Sequence, residues 1–213
     1  MFVLGITGAS GTVYGVRLLE LLLSAGKKVH AVISPTAELV LCDELPGLEP
    51  NDDPRQFLFA AFEQARHRYG FRFQEPFDRE KLSAHRPEDY FAPISSGSFV
   101  TEGMIVCPCT GSSLGSIASG INQHLIHRAA EVHLKERRPL ILVLRETPLS
   151  GIHLRNLLTI AEAGGTILPA MPHFYGGSHG DSLTVADMVD SVVAKILDQL
   201  QVRHPIENRW RRL

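Results

Sequence analysis

Short apolar runs alternate along this chain with longer stretches whose apolar residues recur at helical spacing. Phe2-Val-Leu-Gly-Ile-Thr7 reads as a short buried strand. Glycines at Gly5, Gly8 and Gly11 read as a tight turn, and Thr12–Leu23 as a leucine-rich helix stopped near Gly26. The pattern repeats with a strand at Lys28–Ile33 and a helix capped by Ser34, with Pro35 at its first position, running toward Glu44. The Pro- and acid-containing stretch 45–56 reads as a surface loop. Asp53-Pro54 then opens a helix through about Tyr69, ended by Gly70, with Phe57, Leu58, Ala61, Phe62 and Ala65 on its apolar face. Residues 71–100 read as irregular and polar. Alternation resumes with a strand at Gly103–Pro108, the small-residue run Cys109–Ser116, a helix from about Ile121 to Arg137 and a strand at Leu140–Leu144. A helix over Ile152–Ala163, a short strand at Thr166–Leu168 and a loop over Pro169–Tyr175 follow. Thr184 and Asp187 form a capping-box variant for a last helix through about Leu200.

Such alternation predicts an α/β fold: a doubly wound, mainly parallel sheet of the Rossmann or flavodoxin type in three αβα layers. With 213 residues, 44% of them hydrophobic, the chain reads as one domain over 1–213. The formal charge of −2 gives no pull toward nucleic acid or an acidic membrane. No apolar run approaches the ~20 residues that span a bilayer, and the N-terminus lacks the basic segment of a signal peptide. Three cysteines, Cys42, Cys107 and Cys109, make no disulfide framework, so the expected compartment is the cytoplasm.

In doubly wound sheets ligands bind beyond the carboxyl ends of the strands. Here those ends are Gly8–Gly11, Ser34, Cys107–Ser113, Arg145–Glu146 and Pro169–Tyr175. The first turn and the helix after it offer backbone N–H groups suited to a phosphate. The glycine spacing is G-x-x-G-x-x-G, and the second strand ends in Ser34-Pro35 where a dinucleotide site needs an acidic residue. A mononucleotide such as FMN therefore fits better than a nicotinamide dinucleotide.

Each candidate also has a plainer reading. Ser10 either caps the first helix or touches a flavin ring and passes a proton. Glu44 alone is an ordinary solvated charge. Arg145-Glu146 follows five apolar residues at a strand's carboxyl end, where Arg offers a fork for phosphate and Glu can hold that Arg or move a proton. Lys135-Glu-Arg-Arg138 reads as a solvated helix end, although Arg128, seven residues earlier on the same face, could share an anion with Lys135. His124, His127 and His133 lack a metal-binding pattern, and no metal is expected. Cys107-Pro-Cys109 reads as small buried thiols.

Gly8-Ala-Ser-Gly11 with Tyr14-Gly15, Cys107-Pro-Cys109, Arg128-Ala-Ala, Lys135-Glu-Arg-Arg-Pro-Leu140, Arg145-Glu146, Ile152-His-Leu154, Asn156, Leu168-Pro-Ala170 and Phe174-Tyr175 together resemble the UbiX/Pad1 flavin prenyltransferases. The resemblance covers nearly the whole chain and is weakest at about 45–90. It implies prenyl transfer from dimethylallyl phosphate to N5 and C6 of reduced FMN, with no metal, making a cofactor for a UbiD-type decarboxylase. It implies Ser10 and Glu44 in proton transfer. Flavin contacts fall to Gly8, Ala9, Ser10, Ser34, Cys109, Thr110, Gly111, Ser112, Arg128 and Arg145. The donor's phosphate falls to Lys135, Arg145, Glu146 and Tyr175, with Arg128 reaching in from a neighbouring subunit of a homo-oligomer, a dodecamer by resemblance. Trp210 matches a tail aromatic near the substrate. Two positions depart from the family: Lys195 stands where an arginine is expected for phosphate, and Tyr90-Phe91 where a tryptophan is expected. The competing readings are an FMN-dependent decarboxylase of cysteine-ended peptides or phosphopantothenoylcysteine, and a non-catalytic flavin-binding regulatory protein. The first uses a catalytic His after the second strand and a Pro-x-Ser-Ala-Asn motif, where this chain has Ser34-Pro35-Thr36 and Ile94-Ser-Ser-Gly-Ser98.

Overall fold

The computed structural model describes residues 1–71, 77–174 and 182–206. Among these, six strands form one parallel sheet: β1 (Phe2–Ile6), β2 (Val29–Ile33), β3 (Leu82–His85), β4 (Gly103–Cys109), β5 (Leu140–Leu144) and β6 (Thr166–Ile167). Their order across the sheet is β3-β2-β1-β4-β5-β6. The helices are α1 (Val13–Ser24), α2 (Pro35–Glu44), α3 (Pro54–Tyr69), α4 (Gly111–Ala118), α5 (Leu125–Lys135), α6 (Gly151–Glu162) and α7 (Val185–Gln199). The doubly wound α/β expectation holds.

Strand residues alternate between two cores. Phe2, Leu4 and Ile6 of β1, with Ile105 and Cys107 of β4, pack under α1, α3 and α7. Val3, Met104 and Val106 face the other way, against α4 and α5. A register shift between Val106 and Cys109 breaks this alternation: Cys107 still keeps it, in the first core, whereas Cys109 two residues on falls in the second. On the first side, Arg17 of α1 is buried and donates to Asp190 of α7 at 2.8 Å and to Glu20 at 2.7 Å. A Cβ on Gly15 would stand 2.3 Å from the Cys107 carbonyl oxygen, so only glycine lets α1 lie this close to β4.

Three expectations need correction. Gly5 lies inside β1, facing Ile126, so the turn uses Gly8 and Gly11 alone; at Gly11 φ is +90°, a conformation that favours glycine. Residues 71–100 are not wholly irregular, since Leu82–His85 pairs with β2 as an edge strand. The small-residue run after β4 is largely α4, and the next helix begins at Leu125 rather than Ile121, after Gly120 has turned the chain at φ +67°.

Candidate active site

The carboxyl edge of the sheet is tied together by one row of main-chain bonds. Ser34 N donates to Ile6 O, Thr7 N to Pro108 O, Arg145 N to Cys109 O and Ala170 N to Leu144 O, at 2.9–3.2 Å. The strand order reverses between β1 and β4, which makes the gap between the Gly8–Gly11 and Thr110–Ser113 turns the topological switch point. Thr7 closes the base of that gap. Its hydroxyl donates to Pro108 O at 2.7 Å and accepts the Thr110 amide at 3.0 Å.

Two helices start at this gap, α1 and α4, and they differ in charge. The α1 end is already filled: Glu44, at the end of α2, accepts the Gly11 amide at 2.6 Å, the Thr12 amide at 2.9 Å and the Thr12 hydroxyl at 2.5 Å. A carboxylate on these donors satisfies the positive end of α1 and repels a second anion there. The α4 end is open. Thr110 caps it through Ser113 N at 3.0 Å, whereas the amides of Gly8, Ser10, Gly111 and Ser112 have no protein acceptor among the described residues. Exposed Ser10 and Ser112 and half-exposed Gly8, Ala9 and Gly111 leave these donors accessible. The cap role considered for Ser10 is thus taken by Glu44, and the Ser10 hydroxyl is left facing solvent.

The neighbouring strand ends bring further predicted residues to the gap. Ser34 is buried and accepts the Ala37 amide at 3.2 Å as the α2 cap, which leaves its O–H able to donate. Arg145 and Glu146 are exposed immediately beside Cys109. The half-buried Tyr14 phenol is pushed up chiefly by burial, with Cys107 and Glu44 adding to the shift and Arg145 opposing it. Cys109 needs correction as a cofactor contact through its side chain. Its Sγ points into the core, burial raises its thiol to about 12, and its carbonyl is taken by Arg145.

Lys135 and Arg128 are not part of this cluster within one chain. Helix α5 runs down from the carboxyl edge, so Lys135 at its C-terminus lies near Pro139 and the start of β5, while Arg145 follows the end of β5. A five-residue strand separates them, about 16 Å. Arg128 Nε donates to Ser95 O at 3.1 Å, Arg138 binds the Gly97 and Phe99 carbonyls, and Lys135 pairs with Glu136 beside Gly97. These contacts form a second basic cluster against the Ser95–Ser98 turn, where the Ser96 and Ser98 hydroxyls lie 2.9 Å apart. In the sequence this turn stands out only as Ile94-Ser-Ser-Gly-Ser98 in place of a decarboxylase motif; nothing there announces its pairing with an Arg/Lys face.

Lys195 lines a third place, an opening of about 320 Å³ at the β6 edge walled by Ile167, Pro169, Met171 and Val192. Tyr90 is exposed and donates to Asn122 O at 3.3 Å near the start of α5. Tyr175 and Trp210 lie outside the described residues. His124 and His127 stack with centroids 3.9 Å apart, and no group of three potential metal ligands occurs among the described residues.

Comparison with known proteins supplies the family. Residues 1–197 match the family model described as Flavoprotein. The chain is 42% identical over 210 residues to a flavin prenyltransferase UbiX of Halalkalibacterium halodurans, covering 99% of this chain and 93% of the relative. It is 39% identical over 207 residues to the UbiX of Pseudomonas aeruginosa, with 97% and 92% covered. The chain belongs to the UbiX flavin prenyltransferase family. Its fold matches that of AnUbiX (PadA1), a structure in complex with FMN and dimethylallyl pyrophosphate, with TM-score 0.79 and 35% identity over 100% of this chain and 97% of that one. A dodecameric FMN-dependent UbiX-like decarboxylase from Escherichia coli O157:H7 aligns with TM-score 0.77 and 38% identity over 100% and 99%. A PPC decarboxylase mutant aligns at only 12% identity and TM-score 0.56, a likeness of fold alone. The UbiX relationship is thus full-length, whereas the competing decarboxylase reading rests on a distant neighbour. No helix among the described residues is long and apolar enough to cross a membrane.

Proposed function

We propose that this flavin prenyltransferase holds reduced FMN at the switch point and moves a dimethylallyl group from dimethylallyl phosphate to its N5 and C6. The open amides of Gly8, Ser10, Gly111 and Ser112 carry this reading, because a phosphate or a polar ring edge needs such donors and α1 cannot supply them past Glu44. The residues present therefore fit FMN. Reduced FMN supplies the nucleophilic atoms when bound. As the allylic C–O bond breaks, the phosphate leaves with the electron pair and positive character develops on the allyl group.

The residues then take distinct tasks. Arg145 offers its guanidinium fork to phosphate, and Glu146 orients that fork or takes a proton. Ser10 and Glu44 handle the proton at N5, Glu44 from its fixed place on the same turn. Lys135 and Arg128 share one face of α5. Since Lys135 sits at the other end of β5 from Arg145, it acts on the site of a neighbouring subunit, and Arg128, on the same face and turned toward Ser95 O, reaches across with it. Lys195 stands in an opening whose apolar walls suit a five-carbon tail and whose cation suits its phosphate. Tyr175, Tyr90 and Trp210 complete the substrate contacts. Exposed Ile152, Leu154 and Leu158 on α6, with Met171 and Phe174, support a homo-oligomer, and the E. coli relative suggests a dodecamer. The product passes to a UbiD-type decarboxylase in the cytoplasm.

The test is anaerobic incubation of the protein with reduced FMN and dimethylallyl phosphate, followed by mass spectrometry of the released flavin. A five-carbon adduct is expected. Unmodified flavin alongside an oxidatively decarboxylated cysteinyl substrate would favour the decarboxylase reading. Flavin binding with turnover of neither would favour the regulatory one. Parallel incubation with the diphosphate tests the choice of donor.

A further inference from the structure

We infer that Thr7 is a positioning residue: its hydroxyl sets the spacing between the two turns that receive the flavin, through a side-chain clasp across the switch point. This rests on the placement of FMN proposed above.

The clasp answers a defect in the sheet. The β1–β4 ladder is regular from Phe2↔Gly103 to Gly5↔Val106 and then stops. Beyond it, β4 slips in register relative to β5, and Pro108 has no N–H to offer a ladder. Thr7 spans that break. Its amide and its hydroxyl both donate to Pro108 O, at 3.2 and 2.7 Å, while the hydroxyl oxygen accepts the Thr110 amide at 3.0 Å. The hydroxyl thus fulfils both of its hydrogen-bonding roles in a site only 1% exposed.

Each end of the clasp governs one wall. On its own side, Thr7 O accepts the Ala9 amide at 2.9 Å, which shapes the Gly8–Ser10 turn. On the far side, Thr110 is the N-cap of α4, so holding its amide fixes where the Gly111 and Ser112 amides point. No charged side chain bridges the same gap among the described residues. The hydroxyl of Thr7 is therefore the side-chain link between the walls, and a valine of the same shape leaves the half-buried Thr110 amide without its acceptor.

The experiment compares Thr7→Val, Thr7→Ser and the control Val3→Ala, a buried β1 residue distant from the cleft. Binding of oxidised FMN is measured by flavin fluorescence, and thermal unfolding on the same samples. Thr7→Val is expected to weaken FMN by about tenfold or more, the effect of an unmade buried hydrogen bond. Thr7→Ser is expected to stay near wild type, and Val3→Ala to lower the melting temperature without weakening FMN. Wild-type affinity in Thr7→Val, no rescue by serine, or equal weakening in Val3→Ala overturns the inference. Should Thr7→Val not fold, hydrogen exchange in the wild-type protein decides: protection at the Thr110 amide supports the clasp, and free exchange there overturns it. Failure of the wild-type protein to bind FMN sinks the placement of the cofactor instead, a separate result.

Discussion

Glu44 holds the Gly11 amide at 2.6 Å, joining the end of α2 to the turn before α1. The two residues are 33 positions apart, and neither local spacing nor composition announces the contact. It makes Glu44 both a helix cap and a fixed carboxylate one residue from Ser10. Glu44→Ala should therefore lower stability by about 1–2 kcal/mol, the usual effect of losing an N-terminal cap with its charge, and abolish prenyl transfer. Glu44→Gln, which keeps one acceptor, should recover much of the stability but not the transfer. Denaturant unfolding and flavin mass spectrometry on the same preparations separate the two effects.

Arg145 and Glu146 sit beside the turn but supply none of its open amides. Arg145→Ala and Glu146→Gln should bind FMN within a few-fold of wild type, the scale of one exposed contact, and lose transfer. Fluorescence titration against product mass is the check. Loss of FMN from either variant would mean that these side chains serve the flavin rather than the donor's phosphate.

The separation of Lys135 from Arg145 predicts complementation. Lys135→Ala and Glu146→Gln should each be inactive alone. Mixed after dissociation and reassembly, they should regain about a quarter of wild-type activity, because a site drawing each group from a different chain finds both intact in that share of random pairings. No recovery in confirmed mixed oligomers would place both groups in one chain's site.

Half-buried His30 and His85 and buried His127 predict the pH response. His30 and His85 share a 2.8 Å hydrogen bond and stack; Phe99 meets His30 edge-on, and Asp89 lies 3.9 Å from His85. Burial first, and then His85 and the N-terminus, push His30 down to about 4; burial and His124 do the same to His127, also to about 4. In the unfolded chain both titrate near 6.5. Between these values the unfolded state binds more protons, so stability is intact above about pH 6.5 and falls as pH drops toward 4. Urea unfolding from pH 7 to 4 should show this slope, and His30→Asn should flatten it. An unchanged slope in that variant would assign the loss to other groups.

The sequence made the strand ends legible because β1, β2, β4 and β5 are short apolar runs closed by glycine, serine or charge. It hid β3, since Leu82-Ser-Ala-His buries only Leu82 deeply and owes its strand to pairing with β2. It hid α4, whose glycines and serines are weak helix formers held by the Thr110 cap and the burial of Leu114 and Ile117. The location of Lys135 was deducible: a helix between parallel strands returns to the amino edge, so its last turn cannot share an edge with Arg145. Residue type grouped those two charges, and topology separates them.

Gly15 resting on the Cys107 carbonyl gives the cleft a floor of bare backbone against backbone. Such a floor has no cushion of side chains to compress, so a bulky guest cannot gain room by pressing downward. Any adjustment between flavin alone and flavin with an allyl donor has to come from the rim, where Ser10, Ser112, Arg145 and Glu146 stand exposed.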